Sequence, residues 1–451
     1  MRIHMIGIGG AGMSSIAEVL HNGGHEITGS DLKESSNTRR LQEAGILVYI
    51  GHAAHQVGDA EQVVISTAIP STNPELLEAR RRQVPVLPRA AVLARILAGG
   101  QKSIAVAGTH GKTTTTSMTT HALRALGEEP TALIGGELND IGSNVVAGGT
   151  NLFVAEADES DKSLLYLKPQ AAVVTNIEFD HPDFYTSLDD VLEIFESFVE
   201  ALPSEGHLVT CAEDPRCLKL AALARCPVTT YGLSAGDLRA RILGPNSYAL
   251  VEGGEERGTV ELGVYGRHNV LNSLAAVGVA RWLGHDAYEA AASLRSFSGV
   301  RRRFQLKGER GEIRVVDDYA HHPTELSATL EVARTLRREG GRVVAVFQPH
   351  RYSRTRALYR EFGEALTLAD TVLVTDVYGA GEMPQPGVSG KLIVDAICEN
   401  PIRPPNVYYI PDQHDIPGVL HTIAEPRDTV LTMGAGDISA VGDEMLTMLS
   451  S

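Results

Sequence analysis

Three times along the chain a short apolar run passes through a tight glycine or polar turn into a helix-like segment. IHMIGIGGAGMSSIAEVL starts at Ile3, SIAVAGTHGKTTTTSMTTHAL at Ser103 and RVVAVFQPHRYSRTRAL at Arg342. Residues 171–177 (AAVVTNI) and 371–376 (TVLVTD) are β-branched runs without clean alternation. That pattern predicts parallel strands covered on both faces. Strands alternating with helices in this way imply right-handed βαβ units in doubly wound sheets.

Two glycine-containing breaks interrupt the pattern, at residues 96–103 (ILAGGQKS) and 296–304 (SFSGVRRRF). They divide the 451 residues into expected domains 1–99, 100–299 and 300–451. Fifty-six acidic residues against 40 basic ones leave a formal charge of −16, which opposes broad binding to nucleic acid or an anionic membrane. A content of 43% hydrophobic and 21% charged residues excludes wholesale disorder. The cysteines, Cys211, Cys217, Cys226 and Cys398, form no C-x-x-C pair, so neither a zinc knuckle nor a disulfide framework is expected. No apolar stretch approaches the ~18 residues of a membrane span, and MRIHMIGIGGAGM does not read as a signal peptide. A reducing cytoplasm is the expected compartment.

The first turn, Gly7-Ile-Gly9-Gly-Ala-Gly12, fits G-x-G-x-x-G between a strand and a helix, and Asp31 follows Gly12 by 19 residues. This is a dinucleotide-binding fingerprint in its proper context. Its physics is general. Glycines let backbone N–H groups and a helix N-terminus approach a pyrophosphate, and a nucleotide-diphosphate sugar offers the same group as NAD.

The second turn, Gly108-Thr109-His110-Gly111-Lys112-Thr113-Thr114, departs from the common phosphate loop, because Val106 stands where a glycine is usual. The core G-K-T is intact. Backbone amides would cradle phosphates, Lys112 would sit at the β/γ-phosphates, and Thr113 would ligate Mg²⁺. A metal there needs further ligands. Glu156 emerges from the apolar run LFVA, and Glu178, Asp180, His181 and Asp183 follow the run AAVVTN. In a parallel sheet these strand ends converge on the loop, and a carboxylate with an imidazole suits a divalent ion.

These residues resemble the Mur ligases, the ATP-dependent amino-acid ligases of peptidoglycan precursor synthesis. The likeness rests on G-T-x-G-K-T, E-A-D-E-S-D, T-N-I-E-x-D-H, Gly266-Arg-His268-Asn269-Val-Leu-Asn272 and Asp317-Asp-Tyr-Ala-His321-His-Pro-Thr-Glu325. It implies an α/β protein of three domains, each around a mostly parallel doubly wound sheet: a Rossmann-like UDP-binding domain, a central P-loop ATPase and a Rossmann-like C-terminal domain. GIGGAGMSSIA, DDYAHHPTE, FQPHRYSRT and DVYGAGE resemble the member that joins L-alanine to UDP-N-acetylmuramate. The substrates implied are that UDP-sugar, L-alanine and ATP with Mg²⁺, handled by a monomer or homodimer.

The resemblance also implies roles. UDP-sugar contacts fall on Gly7, Gly9, Gly12, Met13, Asp31 and Ser66, the last in Ser66-Thr-Ala-Ile-Pro70. The ATP purine and ribose fall near His268, Asn269 and Asn272, with Asp317 or Asp318 at the ribose. Arg302 and Arg303 reach the phosphates. Thr113, Glu156 and His181 hold metal, and Lys112, His181 and His321 are the catalytic candidates. A guanidinium fork suits the alanine carboxylate, which points to Arg351 and Arg354 with His350, Tyr319 and His321 nearby. Arg351 and Arg354 would share a face if their segment is helical.

Overall fold

The computed structural model describes residues 1–66, 68–160 and 162–450. Thr67 of the Ser66-to-Pro70 stretch and Asp161 of E-A-D-E-S-D lie outside the described residues. Among the described residues the strands form sheets of five, ten and six members.

The first sheet is wholly parallel. Arg2–Ile6 lies at its centre between Glu26–Asp31 and Gln62–Ile65, with Leu47–Ile50 and Val86–Pro88 at the edges. Gly7 and Ile8 both donate their N–H to Ser30 O, which turns the chain sharply into the helix Ala11–Asn22.

The middle sheet places Lys102–Ala107 between Leu152–Glu156 and Ala171–Val174, all parallel. The ends carrying the phosphate loop, Glu156 and the segment leading to His181 therefore emerge side by side. Antiparallel additions extend both edges: the pair Thr131–Leu138 and Ser143–Val146, and the meander Leu238–Gly244, Ser247–Glu252 and Glu255–Glu261. The third sheet runs Gln305–Arg310, Ile313–Asp318, Thr429–Met433, Val343–Phe347, Thr371–Val374 and Asn406–Tyr409, with only the first strand antiparallel.

One apolar cluster runs from the first sheet into the second, joining Met5, Ile16 and Leu93 to Val106, Phe153 and Val173. The third sheet has two clusters of its own, one around Phe347 and Phe362 and one around Val346 and Met445. The first two domains are thus cemented by burial, whereas the third meets them through polar contacts. No helix among the described residues is long and apolar enough to cross a membrane.

Candidate active site

The strand Lys102–Ala107 ends at Gly108, whose φ of +132° favours glycine. A Cβ there would stand 2.0 Å from Thr175 Oγ1, so the loop lies flat against the end of the neighbouring strand. Gly111, at φ +82°, turns the chain into the helix Lys112–Ala125. Val106 is a buried strand residue in register with Glu156, so the position that lacks the usual glycine is not part of the turn at all.

Lys112 Nζ donates to Gly108 O at 2.7 Å, Thr109 O at 3.0 Å and both oxygens of Glu159 at 3.0 and 2.8 Å. Burial disfavours its charge, but the carboxylates of Glu159, Asp158 and Glu156 outweigh that and raise its pKa. Glu159 was not singled out in the sequence, where it is one of several acids in E-A-D-E-S-D. Glu156 accepts from Thr113 Oγ1 at 2.9 Å and Gly135 N–H at 2.8 Å. Burial raises its pKa against the pull of Lys112. His181, at φ +55°, holds Nε2 3.6 Å from Glu159 Oε1. Asp158, Glu159 and His181 present ligand atoms within 4.8 Å of one another. The donor set fits a divalent cation beside phosphates: the expected Thr113–Glu156 pair on one hand, and His181 with two additional carboxylates on the other.

A cavity of about 670 Å³ opens over this loop and is walled by all three domains. Ala11, Gly12, Ser15 and Arg89 line it from the first domain, and Arg302, Arg303, Tyr319, His321 and Glu325 from the third. Gly12 and Arg89 are close, since a Cβ on Gly12 would stand 2.7 Å from Arg89 Nη1. Arg89 was missed in the sequence because it lies far from every motif. Asp31 Oδ2 accepts the Gly9 N–H at 2.9 Å and braces the first turn, while Ser66 stands beside Gly7. Met13 is 2% exposed and its side chain belongs to the apolar core, which leaves only its main-chain N–H, in the first turn of the helix, to face a ligand.

A second cavity, about 350 Å³, adjoins the loop at His110, Gly111 and Thr114. His268, Asn269 and Asn272, the residues expected near the ATP purine and ribose, line it. Asn272 Oδ1 accepts from Thr115 Oγ1 at 3.1 Å, which ties the helix Arg267–Trp282 to the loop helix. Of the neighbouring acids Asp317 and Asp318, it is Asp318 that lines this cavity, with burial raising its pKa to about 6. Asp317 is 1% exposed and engaged with Arg302 Nε at 3.0 Å, Thr432 Oγ1 at 2.7 Å and Ser439 Oγ at 2.9 Å, which overturns its expected ribose contact. Arg302 also donates to Gly434 O and Gly436 O. Arg303 is the arginine that lines both cavities.

In the third domain, His321 Nδ1 lies 3.0 Å from Tyr319 O and 3.3 Å from Glu325 Oε2. Both neighbours accept, so Nδ1 carries the hydrogen and Nε2 the lone pair. Burial lowers the His321 pKa to about 4, leaving the ring neutral near pH 7. His350 packs between His321 and Tyr378, and burial lowers its pKa to about 3. Arg351 and Arg354 do not share a helical face. Arg351 caps the helix Tyr352–Leu366 from φ +69° and pairs with Asp183 and Glu382. Arg354 is 2% exposed and grips Asp180 of the middle domain.

Models of one family match the chain in consecutive pieces. The model described as Mur ligase family, catalytic domain, covers residues 2–101, Mur ligase middle domain residues 106–280, and Mur ligase, glutamate ligase domain residues 302–436. The UDP-N-acetylmuramate–L-alanine ligase of Rubrobacter xylanophilus is 72% identical over 449 residues, covering 100% of each chain. That of Pelotomaculum thermopropionicum is 47% identical over 99% of this chain and 97% of its own. The solved UDP-N-acetylmuramate–alanine ligase of Thermotoga maritima superposes with a TM-score of 0.84 at 31% identity, over 100% of this chain and 99% of that one. A murein peptide ligase of Psychrobacter arcticus gives 0.74 at 26% identity, with 100% and 99% covered.

Proposed function

Because the chain belongs to the Mur ligase family, we propose that it joins L-alanine to the lactyl carboxylate of UDP-N-acetylmuramate at the expense of ATP, in peptidoglycan precursor synthesis. The carboxylate attacks the γ-phosphate, giving an acyl phosphate and ADP. The amine of alanine then attacks the acyl carbon, and phosphate leaves from a tetrahedral intermediate. The observation that carries this reading is the single cavity at which the first glycine turn, the phosphate loop and the neutral His321 meet.

The first step brings two anions together, so cations must offset their repulsion. Lys112 stays protonated and is held in the loop by main-chain carbonyls and Glu159. When phosphate enters, that ammonium turns from Glu159 toward it. Mg²⁺, when bound, supplies further charge neutralisation at the phosphates. Thr113 and Glu156 would hold one ion, and His181 with Glu159 and Asp158 another.

The N-terminus of the helix Ala11–Asn22, with Arg89 opposite Gly12, receives the UDP-sugar's phosphates. His268, Asn269, Asn272 and Asp318 surround the nucleoside of ATP. His321 Nε2, a lone pair on a neutral ring, accepts a hydrogen bond from the incoming amine and orients it, and Tyr319 and Arg351 border the amino acid. Arg354 acts on it only indirectly, because its guanidinium is bound to Asp180. ATP as the energy source puts the reaction in the cytoplasm. Closure of the third domain over the other two brings the three substrates together.

An ADP-release assay with UDP-N-acetylmuramate against a panel of amino acids and the murein tripeptide tests the reading. Release dependent on both the UDP-sugar and L-alanine supports it. Equal release with the tripeptide in place of alanine would reassign the amine substrate.

A further inference from the structure

His110 sits in the phosphate loop, yet its ring faces the third domain. Nε2 lies 3.2 Å from Glu178 Oε2 of the middle domain, and Nδ1 lies 3.3 Å from Glu325 Oε1 of the third. Thr324 Oγ1, also of the third domain, donates to Glu178 Oε2 at 2.6 Å. The ring of His322 packs on that of His110 with centroids 4.5 Å apart. Ionised carboxylates only accept hydrogen bonds, so both nitrogens of His110 carry hydrogens and the ring is an imidazolium. His322 Nδ1 already faces the Thr324 N–H at the start of the helix Pro323–Thr335. With those nitrogens committed, His110, Glu178 and His322 make a salt link and not a metal cage.

The backbone of His110 is bound just as closely to the loop's support. Its N–H donates to Asn176 Oδ1 at 2.8 Å, and its carbonyl accepts from Thr175 Oγ1 at 2.6 Å and Asn176 Nδ2 at 3.0 Å. Glu325, for its part, accepts the His321 N–H at 3.0 Å. A continuous polar chain therefore runs from the phosphate loop through His110 and Glu325 to His321. It crosses a domain boundary that no shared apolar cluster of the described residues spans.

We propose that His110 is a positioning residue that couples an occupied phosphate loop to the docked third domain, its imidazolium bridging Glu178 and Glu325. The proposal rests on the ligase reading above, in which the amine arrives from the third domain. Opening the interface would leave Glu178 and the imidazolium to solvent and release Glu325, and with it His321.

The test compares wild type with His110→Gln, Glu325→Gln and the double variant. Thr324→Val serves as a mild second probe of the same boundary that does not disturb the loop. Binding of a non-hydrolysable ATP analogue, read by calorimetry, should change little in His110→Gln, because backbone amides and Lys112 do the gripping. The KM for L-alanine should rise about tenfold, the scale of a typical coupling between sites. Small-angle scattering with the analogue and UDP-N-acetylmuramate should show wild type compacting and His110→Gln failing to compact. The double variant should be no worse than the poorer single, and His110→Lys should recover part of the loss. Thr324→Val should raise the same KM by less. A tenfold loss of analogue affinity with the alanine KM unmoved, or additive losses in the double variant, would overturn the coupling while leaving the ligase reading intact. A wild-type protein inactive with both substrates would overturn both.

Discussion

Arg354 and Asp180, 174 residues apart and in different domains, meet in a two-pronged ion pair, Nε to Oδ1 at 2.8 Å and Nη2 to Oδ2 at 3.1 Å. Both are almost fully buried. Burial disfavours the Asp180 charge, yet Arg354 and then His181 hold its pKa below the ordinary range. Removing one partner strands a buried charge, at a cost of about 3–5 kcal/mol. Arg354→Met should therefore lower the unfolding temperature and loosen the third domain. Adding Asp180→Asn should return part of the lost stability in a thermal melt, and strictly additive losses would contradict the pairing.

Lys112 faces four acceptor atoms within 3.0 Å. Lys112→Ala should reduce ADP release at least a thousandfold, on the scale of losing a charge aimed at the transition state. Single-turnover kinetics should show the loss in the chemical step with every amine tried. Glu159→Gln should have a smaller effect and lower the Lys112 pKa.

Glu156 is a half-buried carboxylate whose pKa is raised by desolvation. Glu156→Gln should raise the Mg²⁺ concentration needed for half-maximal ADP release about tenfold or more. Manganese binding followed by electron paramagnetic resonance should weaken in parallel, in the absence of any turnover. Stripping the ion with a chelator should stop the reaction in wild type.

The His110 link has a defined pH window. Burial opposes the imidazolium, but Glu178 and Glu325 raise its pKa from 6.5 to about 9. Its stabilisation is therefore fully present below pH 6.5 and is lost as pH rises through about 9. Glu178 is the mirror case. Burial opposes its charge, while His110, Thr324 and His322 bring its pKa from 4.5 to about 2, so its contribution stands above pH 4.5 and fades toward pH 2. The melting-temperature gap between wild type and His110→Gln should be widest between pH 4.5 and 6.5 and should close above pH 9. A gap independent of pH would show that the ring acts by packing alone.

What was legible in the amino-acid order was whatever local chemistry spells out over a few adjacent residues. Glycine turns between an apolar run and a helix announce phosphate loops, and β-branched runs without alternation announce buried parallel strands. From these followed the α/β fold, the loop at Lys112 and the arrival of Glu156 and the segment leading to His181 at strand ends beside it. Pairing across distance was not legible. Asp317 and Asp318 are neighbours in one strand, and successive strand residues face opposite sides. Only the packed sheet decided that Asp317 turns to Arg302 and Asp318 to the cavity. Likewise Arg354 reads as a free guanidinium until the third domain sets it on Asp180, and Glu159 as one acid among several until Lys112 closes on it. Charges choose partners by proximity in space, and that proximity exists only once the three sheets have packed together.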